Sequence, residues 1–284
     1  MIISIASGKG GTGKTTVACG LASVIPNSVY IDCDVEEPNG YLLLNPVINK
    51  EETTYKVIPK INYNRCDFCN KCSEVCEFNA LLNLKTEIYL FDELCYSCGA
   101  CTYFCPQQAI TEIKKETGKL RIGVTDNDVL FFDAFLRIGE TSAAPLIKQV
   151  KNSYNGDRTV IIDSPPGTSC SMFEAVKDSD YCIIVTESTP FGLNDLKLAI
   201  NVLNQINKQF GIVINKYDEY FYKLDEYIHD NRLTLLSKIP FRMDVAESYS
   251  RGELPTLIIE DYKRMIWDLF EKVQNEILVN EFSL

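Results

Sequence analysis

The feature that most constrains this chain is a glycine-rich loop between a predicted strand and a predicted helix near the N-terminus. Residues 8–16 read GKGGTGKTT and fit the pattern G-x-x-x-x-G-K-[ST]. Glycines in such a loop let successive backbone N–H groups point at an anion, next to the positively polarised end of a helix. The pattern therefore predicts a phosphate-binding loop, although a glycine turn without a ligand would share it.

Two side chains of this loop have predicted roles. Lys14 is expected to contact the β- and γ-phosphates of a nucleotide, and the Thr15 hydroxyl is expected to ligate Mg²⁺. The other residues predicted to surround the phosphates are Gly8, Gly10, Gly11, Thr12, Gly13 and Thr16.

Short apolar runs alternate with helical patterning over most of the chain. The runs are residues 2–6, 28–33, 160–163, 182–186 and 211–215. Strands that alternate with helices form a parallel sheet covered on both faces. The sequence thus predicts an α/β fold with a doubly wound, mostly parallel sheet of the P-loop nucleotide-binding kind.

Eight of the twelve cysteines lie within residues 66–105, in two copies of C-x₂-C-x₂-C-x₃-C about 29 residues apart. This is the spacing of bacterial ferredoxins, in which the fourth cysteine of each run ligates the other [4Fe–4S] cluster. The predicted ligands of cluster 1 are Cys66, Cys69, Cys72 and Cys105, and those of cluster 2 are Cys95, Cys98, Cys101 and Cys76. Zinc and a disulfide framework are the alternatives, but zinc sites use four cysteines rather than eight in duplicate.

The repeat predicts an inserted domain. We expect a small α+β, bacterial-ferredoxin-like domain at residues 61–120, within a P-loop nucleotide-binding domain formed by residues 1–60 and 121–284. Glu77 follows Cys76, where ferredoxins usually have proline, so the local turn is expected to differ.

Charge and hydropathy exclude other classes. The formal net charge of −11 leaves no basic stripe for nucleic acid. The chain starts without a secretory signal, and no apolar run approaches the roughly 20 residues of a membrane span. The tail, residues 258–284, has six acidic and three basic residues, which argues against insertion into an anionic membrane. These features predict a cytoplasmic location.

Three segments resemble the MinD/ParA/nitrogenase iron protein class of P-loop ATPases. Residues 9–15 match the deviant Walker A loop K-G-G-x-G-K-[ST], residues 29–34 (VYIDCD) match the first switch, and residues 159–167 (TVIIDSPPG) match the Walker B strand and second switch. The resemblance implies that Lys9 contacts the partner's nucleotide across a dimer interface. It further implies that Asp34 orients the attacking water, Asp32 supports the Mg²⁺ shell and Asp163 holds a Mg²⁺-bound water.

The same resemblance implies that Asn215 and Pro240, each at the end of a predicted strand, contact the adenine ring. Residues 215–218 also spell N-K-x-D, the guanine-reading motif of GTPases. The family favours ATP, with GTP as the alternative. Cys170 stands where the nitrogenase iron protein has a cluster ligand, but the second cysteine that such a site needs is missing, and a small residue packed behind the second switch is the simpler interpretation.

Over nearly its whole length the chain is similar to MinD-superfamily ATPases with an inserted ferredoxin domain. The resemblance implies ATP or ADP, Mg²⁺ and two [4Fe–4S] clusters as cofactors, a homodimer in the ATP-bound state, and a redox partner or client metalloprotein. We expect ATP-driven dimer closure coupled to electron transfer. Delivery of a cluster or metal to a client enzyme, and a positioning ATPase with structural or sensory clusters, are the alternatives.

Overall fold

The computed structural model describes residues 1–281, so residues 282–284 of the predicted acidic tail lie outside the described part. Strands β1 to β11 are, in chain order, Ile2–Ala6, Val29–Asp32, Val47–Ile61, Leu81–Asn83, Ile88–Leu90, Ile110–Val124, Leu130–Leu136, Val160–Asp163, Tyr181–Glu187, Phe210–Tyr217 and Leu235–Pro240. Helices α1 to α11 are Lys14–Val24, Gly40–Leu44, Lys71–Glu74, Ala100–Tyr103, Ala144–Lys151, Cys170–Val176, Pro190–Gln205, Lys223–Asp230, Met243–Ser250, Pro255–Ile258 and Glu260–Glu281.

A nine-stranded sheet forms the body of the protein, in the order β11-β10-β9-β1-β8-β2-β7-β6-β3. The pairs from β11 to β7 are parallel, whereas β6 pairs antiparallel with both β7 and β3. The predicted mostly parallel α/β fold is therefore confirmed. The antiparallel edge was not predicted.

The sheet is buried on both faces, as its continuous apolar strands require. One core contains Ile31 of β2 and Ile162 of β8 and packs against α5, α6, α7 and α8. The other contains Ile5 of β1 and Ile161 of β8 and packs against α1 and α11. Two opposed cores hold the ends of β1, β2 and β8 rigidly, and the predicted site residues lie at those ends.

Strands β3 and β6 form a long antiparallel ribbon, paired from Val47 with Val124 to Ile61 with Ile110. The first seven residues of β3 are exposed and include Lys50, Glu51 and Glu52, and Pro59 follows near its other end. Charges and proline are typical of an edge strand, which they protect from pairing with another chain. The predicted domain boundaries at 60/61 and 120/121 fall within this ribbon, so residues 110–120 of the predicted insert belong to the nine-stranded sheet.

Residues 62–109, between the two ribbon strands, show a repeat in their backbone as well as in their sequence. The short helices α3 and α4 lie 29 positions apart. Left-handed backbone conformations recur at the same offset, at Phe68 and Ser97 and at Asn70 and Gly99. Phenylalanine is a poor residue for positive φ, so the turn between cysteines, rather than local preference, fixes this conformation.

No helix within residues 1–281 is long and apolar enough to cross a membrane.

Candidate functional site

The phosphate-binding loop joins β1 to α1, as its motif requires. Gly13 has φ of +87°, and a Cβ there would lie 2.1 Å from Asn215 Nδ2. Gly8 is equally constrained, since its Cβ would lie 2.3 Å from the carbonyl oxygen of Asp195. Only glycine satisfies both positions. Thr12 is buried, and its hydroxyl has no hydrogen-bond partner within the described residues, as expected of a donor reserved for a phosphate oxygen.

Lys14 and Asp163 form a buried ion pair beneath the loop, with Lys14 Nζ 2.5 Å from Asp163 Oδ1. Burial alone would lower the pKa of Lys14, but the charge and hydrogen bond of Asp163 outweigh it and raise the pKa. The lysine is therefore fully charged at neutral pH. It must leave Asp163 to bind a phosphate oxygen, which would free the carboxylate to face a magnesium-bound water.

Asp32, at the end of β2, is fully buried beside Asp163. Its two oxygens accept hydrogen bonds from the backbone N–H groups of Asp34 and Gly40, both at 3.0 Å. Burial, and then the charge of Asp163, raise the pKa of Asp32 well above its usual range. Tyr30, which sequence reasoning missed, donates from its hydroxyl to Asp163 Oδ2 at 3.1 Å. Tyr30 thus fixes the orientation of the Asp163 carboxylate.

Asp34 is half-buried and lines the same cavity as the phosphate-binding loop. Burial raises its pKa to about 6, and the nearby Asp163, Glu36 and Glu37 add to this effect, whereas Lys14 opposes it. A carboxyl group with this pKa is mostly ionised at neutral pH and can accept a hydrogen bond from a water molecule.

The cavity extends from the loop to the end of the sheet, with an empty volume of about 1420 Å³ including space open to solvent. Its phosphate end is lined by the predicted residues Gly10, Gly11, Thr12, Gly13, Lys14, Thr15 and Thr16. Its other end is lined by Ile239, Pro240, Phe241, Arg242, Tyr249 and Tyr262. This apolar and aromatic end is suited to a nucleobase.

Of residues 215–218, the first two reach the loop. Asn215 Nδ2 donates to the Thr12 carbonyl oxygen at 2.8 Å, and Lys216 Nζ donates to the Gly11 carbonyl oxygen at 2.8 Å. Asp218 is exposed and is not among the residues that line the cavity. Asp218 instead lines a neighbouring open cavity, which shares Lys216 and Phe241 with this one.

Lys9 makes an ion pair with Glu187 of its own chain, at the end of β9. Lys216 Nζ lies 3.8 Å from the other oxygen of the same carboxylate. Glu187 was not predicted as a site residue, because its pairing with Lys9 joins segments 178 residues apart. Lys9 is thus held by a carboxylate at the end of a different strand of the sheet.

The eight clustered cysteines divide between two cavities, one for each predicted set. Those around the first are Cys66, Cys69, Cys72 and Cys105, and those around the second are Cys76, Cys95, Cys98 and Cys101. The cavities have empty volumes of about 340 and 420 Å³, including space open to solvent. All twelve cysteines, each within the described residues, are free thiols.

Backbone donors point at the fourth cysteine of each run. Ala80 N donates to Cys76 Sγ and Ala109 N donates to Cys105 Sγ, both at 3.3 Å. Burial raises the pKa of Cys101 to about 11, so as a free thiol it stays protonated at neutral pH. Within residues 1–281, no three histidine, cysteine or acidic side chains stand close enough together to hold a single metal ion.

Cys170 is exposed at the first position of α6. The expected packing of this residue behind the second switch is therefore wrong. Burial, and then the nearby Cys170, raise the pKa of Tyr96, which lies between Cys95 and Cys98. Helix α6 of the host therefore lies near one of the cysteine loops.

The fold and the phosphate-binding loop define a P-loop nucleotide-binding protein. The chain belongs to the CbiA family, the CobQ/CobB/MinD/ParA nucleotide binding domain, whose model matches residues 3–256. Two uncharacterized proteins of Methanocaldococcus jannaschii are 32% identical to it. One matches over 260 residues, 89% of this chain and 90% of the relative, and the other over 288 residues, 98% of each.

Solved structures of similar fold include the cell division ATPase MinD of Pyrococcus furiosus, with a TM-score of 0.59 and 17% identity, over 96% of this chain and 98% of that one. MinD of Pyrococcus horikoshii in complex with Mg-ADP has a TM-score of 0.58 and 19% identity, over 96% and 95%. The ATP complex of an McdA variant from Cyanothece has a TM-score of 0.59 and 15% identity, over 96% of each chain. The predicted family and host fold are thus confirmed, while the inserted ferredoxin domain and its clusters stay predictions.

Proposed function

We propose that this protein is an ATPase that carries two [4Fe–4S] clusters, and that ATP-driven closure of a homodimer is coupled to electron transfer through them. The main support is that each predicted ligand set surrounds its own cavity in the chain that also contains the nucleotide cavity. Permanent ligation by eight thiolates suits an electron carrier better than a donor that must release its cluster.

Each of the nucleotide-binding residues can have a separate role in hydrolysis. Lys14 and the loop N–H groups hold the phosphates, Thr15 and Asp163 hold Mg²⁺ and its water, and Asp34 orients the attacking water. ATP is favoured over GTP because Asp218 does not line the cavity. Asn215 and Pro240 are proposed to contact the adenine ring. The Asn215 amide is held in place because it donates to the Thr12 carbonyl oxygen.

The cysteine cavities suit cubane clusters. Each thiolate of a cubane ligates its own iron, so the four sulfurs form a wider ring than the ligands of one zinc ion. The N–H groups of Ala80 and Ala109 would remain as donors to ligated sulfur, which raises a cluster's reduction potential. When bound, the clusters supply one-electron transfer.

The decisive experiment is oxygen-free purification followed by iron, sulfide and zinc analysis and an ATPase assay of the same sample. We expect about eight irons and eight sulfides per chain, and EPR signals of the reduced protein that change when ATP is added. Zinc in place of iron would refute the proposal. Loss of cluster to an apo-acceptor upon hydrolysis would instead support a maturation factor, and unchanged ATPase activity and cellular location in Cys98→Ser would support a positioning ATPase.

Asp34→Ala is expected to abolish hydrolysis while leaving ATP bound. The substitution removes the acceptor for the attacking water but none of the loop N–H groups, so turnover should fall by about 10²–10⁴-fold, the usual contribution of a general base. The measurement is steady-state phosphate release together with nucleotide retention after gel filtration. Glu37→Ala, an exposed carboxylate on the same cavity wall, is the matched control. Hydrolysis near the wild-type rate in Asp34→Ala would refute the assignment.

Glu187→Gln is expected to favour the ATP-bound dimer. Lys9 must leave Glu187 before it can reach a partner's nucleotide, and a partly exposed ion pair of this kind opposes that release by up to about 1 kcal/mol, or roughly fivefold per subunit. Sedimentation with a non-hydrolysable ATP analogue measures the dimer dissociation constant. The gain should disappear in the Lys9→Ala background. An equal gain there would show that Lys9 is not the residue restrained.

A further inference from the structure

Tyr30 is a fully buried tyrosine in β2, a strand that is otherwise apolar up to its last residue, an aspartate. Its ring stacks on Phe131 of the neighbouring strand β7, with centroids 5.6 Å apart and planes 14° from parallel. A phenylalanine could make this contact equally well. The hydroxyl group needs a separate explanation, because a buried hydroxyl costs free energy unless it is hydrogen-bonded.

The hydroxyl of Tyr30 lies between the two buried carboxylates at the end of the sheet. Tyr30 and Asp32 are two positions apart in one strand, so their side chains share a face of the sheet. Asp32 pairs in register with Asp163 of β8. The hydroxyl lies 3.1 Å from Asp163 Oδ2 and 3.5 Å from Asp32 Oδ2. It has one proton to donate, and Asp32 Oδ2 already accepts the Gly40 N–H at 3.0 Å, so Asp163 is the better acceptor.

The two oxygens of Asp163 have different donors. Oδ1 accepts from Lys14 Nζ at 2.5 Å, and Oδ2 accepts from the Tyr30 hydroxyl. Lys14 is expected to leave when a nucleotide binds, because it is the cation of the phosphate-binding loop. Tyr30 is buried behind the nucleotide cavity and does not line it, so its hydrogen bond can persist. Oδ2 then stays fixed while Oδ1 becomes available to a magnesium-bound water.

The surrounding residues hold the Tyr30 hydroxyl in this position. A Cβ at Gly40 would lie 2.2 Å from the hydroxyl oxygen, so the first residue of α2 lies directly against it. Cys19 Sγ of α1 in turn donates to the Gly40 carbonyl oxygen at 3.9 Å. The ring is held by Phe131 and its tip by Gly40. A group that orients a metal site must itself be fixed by packing, and Tyr30 meets this requirement.

We propose that the Tyr30 hydroxyl is a positioning group that strengthens Mg²⁺ binding, because it keeps the Asp163 carboxylate oriented after Lys14 has moved to the phosphates. The inference rests on the ATPase site of the proposed function and adds a residue that no motif assigns. The hydroxyl oxygen of Thr15 and the carboxylate oxygens of Asp163 fit Mg²⁺, which prefers oxygen ligands. Groups that orient the ligands of a metal typically contribute about 10–100-fold to its affinity.

The test compares Tyr30→Phe with the wild-type protein, since this change removes the hydroxyl and keeps the ring on Phe131. Calorimetric titration measures the affinity for a non-hydrolysable ATP analogue, once with excess Mg²⁺ and once with EDTA. Mn²⁺ added in place of Mg²⁺ to the complex of the unreduced protein with the analogue reports metal affinity through its EPR signal. We expect the Mn²⁺ affinity to fall by roughly 10–100-fold and the analogue affinity in EDTA to stay unchanged.

Tyr181→Phe is the matched control. Tyr181 is equally buried, but it is the first residue of β9, and its hydroxyl makes no hydrogen bond within the described residues. The control should keep the metal affinity of the wild type. In Tyr30→Phe, raising the Mg²⁺ concentration should restore the ATPase rate, which a general loss of structure would not allow.

Unchanged Mn²⁺ affinity in Tyr30→Phe would overturn the inference. An equal loss of analogue affinity with Mg²⁺ and with EDTA would also overturn it, because the hydroxyl would then support the whole site and not the metal. A wild-type protein whose analogue affinity does not depend on Mg²⁺ would refute the proposed ATPase site as well. A preparation without iron would refute only the proposed electron transfer, so these failures are distinguishable.

Discussion

Replacing Lys14 by alanine is expected to abolish nucleotide binding and to destabilise the protein in the same step. The first effect follows because Lys14 is the cation of the phosphate-binding loop. The second follows because, within the described residues, Lys14 is the only cation at ion-pair distance from Asp163. Both side chains are buried. Removing one member of a buried pair leaves the other charge uncompensated and costs about 3–5 kcal/mol.

Denaturant unfolding without nucleotide and calorimetric titration with Mg²⁺–ATP measure the two effects separately. In the double variant Lys14→Ala/Asp163→Asn the uncompensated carboxylate is gone, so most of the stability should return while binding stays lost. Lys216→Ala is the control, since this lysine contacts the loop at the Gly11 carbonyl oxygen but is exposed. If Lys14→Ala loses binding but unfolds like the wild type, the ion pair contributes nothing to stability.

Paired cysteine substitutions are expected to separate crossed from uncrossed cluster ligation. The double variant Cys66→Ala/Cys105→Ala removes two ligands of one predicted cluster, so iron should fall from about eight to about four per chain. The variant Cys95→Ala/Cys105→Ala removes one ligand from each cluster and should leave little iron. The expectation rests on Cys105 sharing a cavity with Cys66 and not with Cys95.

Uncrossed ligation predicts the reverse order of iron contents, so the two arrangements cannot give the same result. Cys33→Ala, which removes a buried thiol of the host core far from both runs in sequence, is the matched control and should keep about eight irons. Near-equal iron in the two double variants would contradict both arrangements.

The host fold was largely predictable because its strands are short, apolar and buried on both faces. The predicted runs at 2–6 and 160–163 coincide with β1 and β8. Strand β3 was missed because its first half is exposed and charged and Pro59 breaks its pattern. Strand β3 pairs with β6 across almost fifty intervening residues. Local periodicity gives no information about pairing between segments so far apart in sequence.

The candidate site likewise contains parts that local sequence patterns predict and parts that they do not. The phosphate-binding loop and the cysteine runs are local patterns whose spacing is set by the ligand, so their positions could be read from the sequence. No motif assigned a role to the Tyr30 or Glu187 side chain. Their partners, Asp163 and Lys9, are 133 and 178 positions away along the chain. Only the fold brings such residues together.

The ribbon of β3 and β6 determines how residues 62–109, the cysteine-rich lobe, are attached to the central sheet. A lobe joined by two loose linkers would sample many orientations, whereas this one continues two strands that are already paired inside the central sheet. The orientation of the lobe relative to the sheet is therefore set by the twist of β3 and β6. In a twofold-symmetric closure of two subunits, both lobes would swing as extensions of their sheets, so a small rotation near the phosphates becomes a larger displacement at the tips.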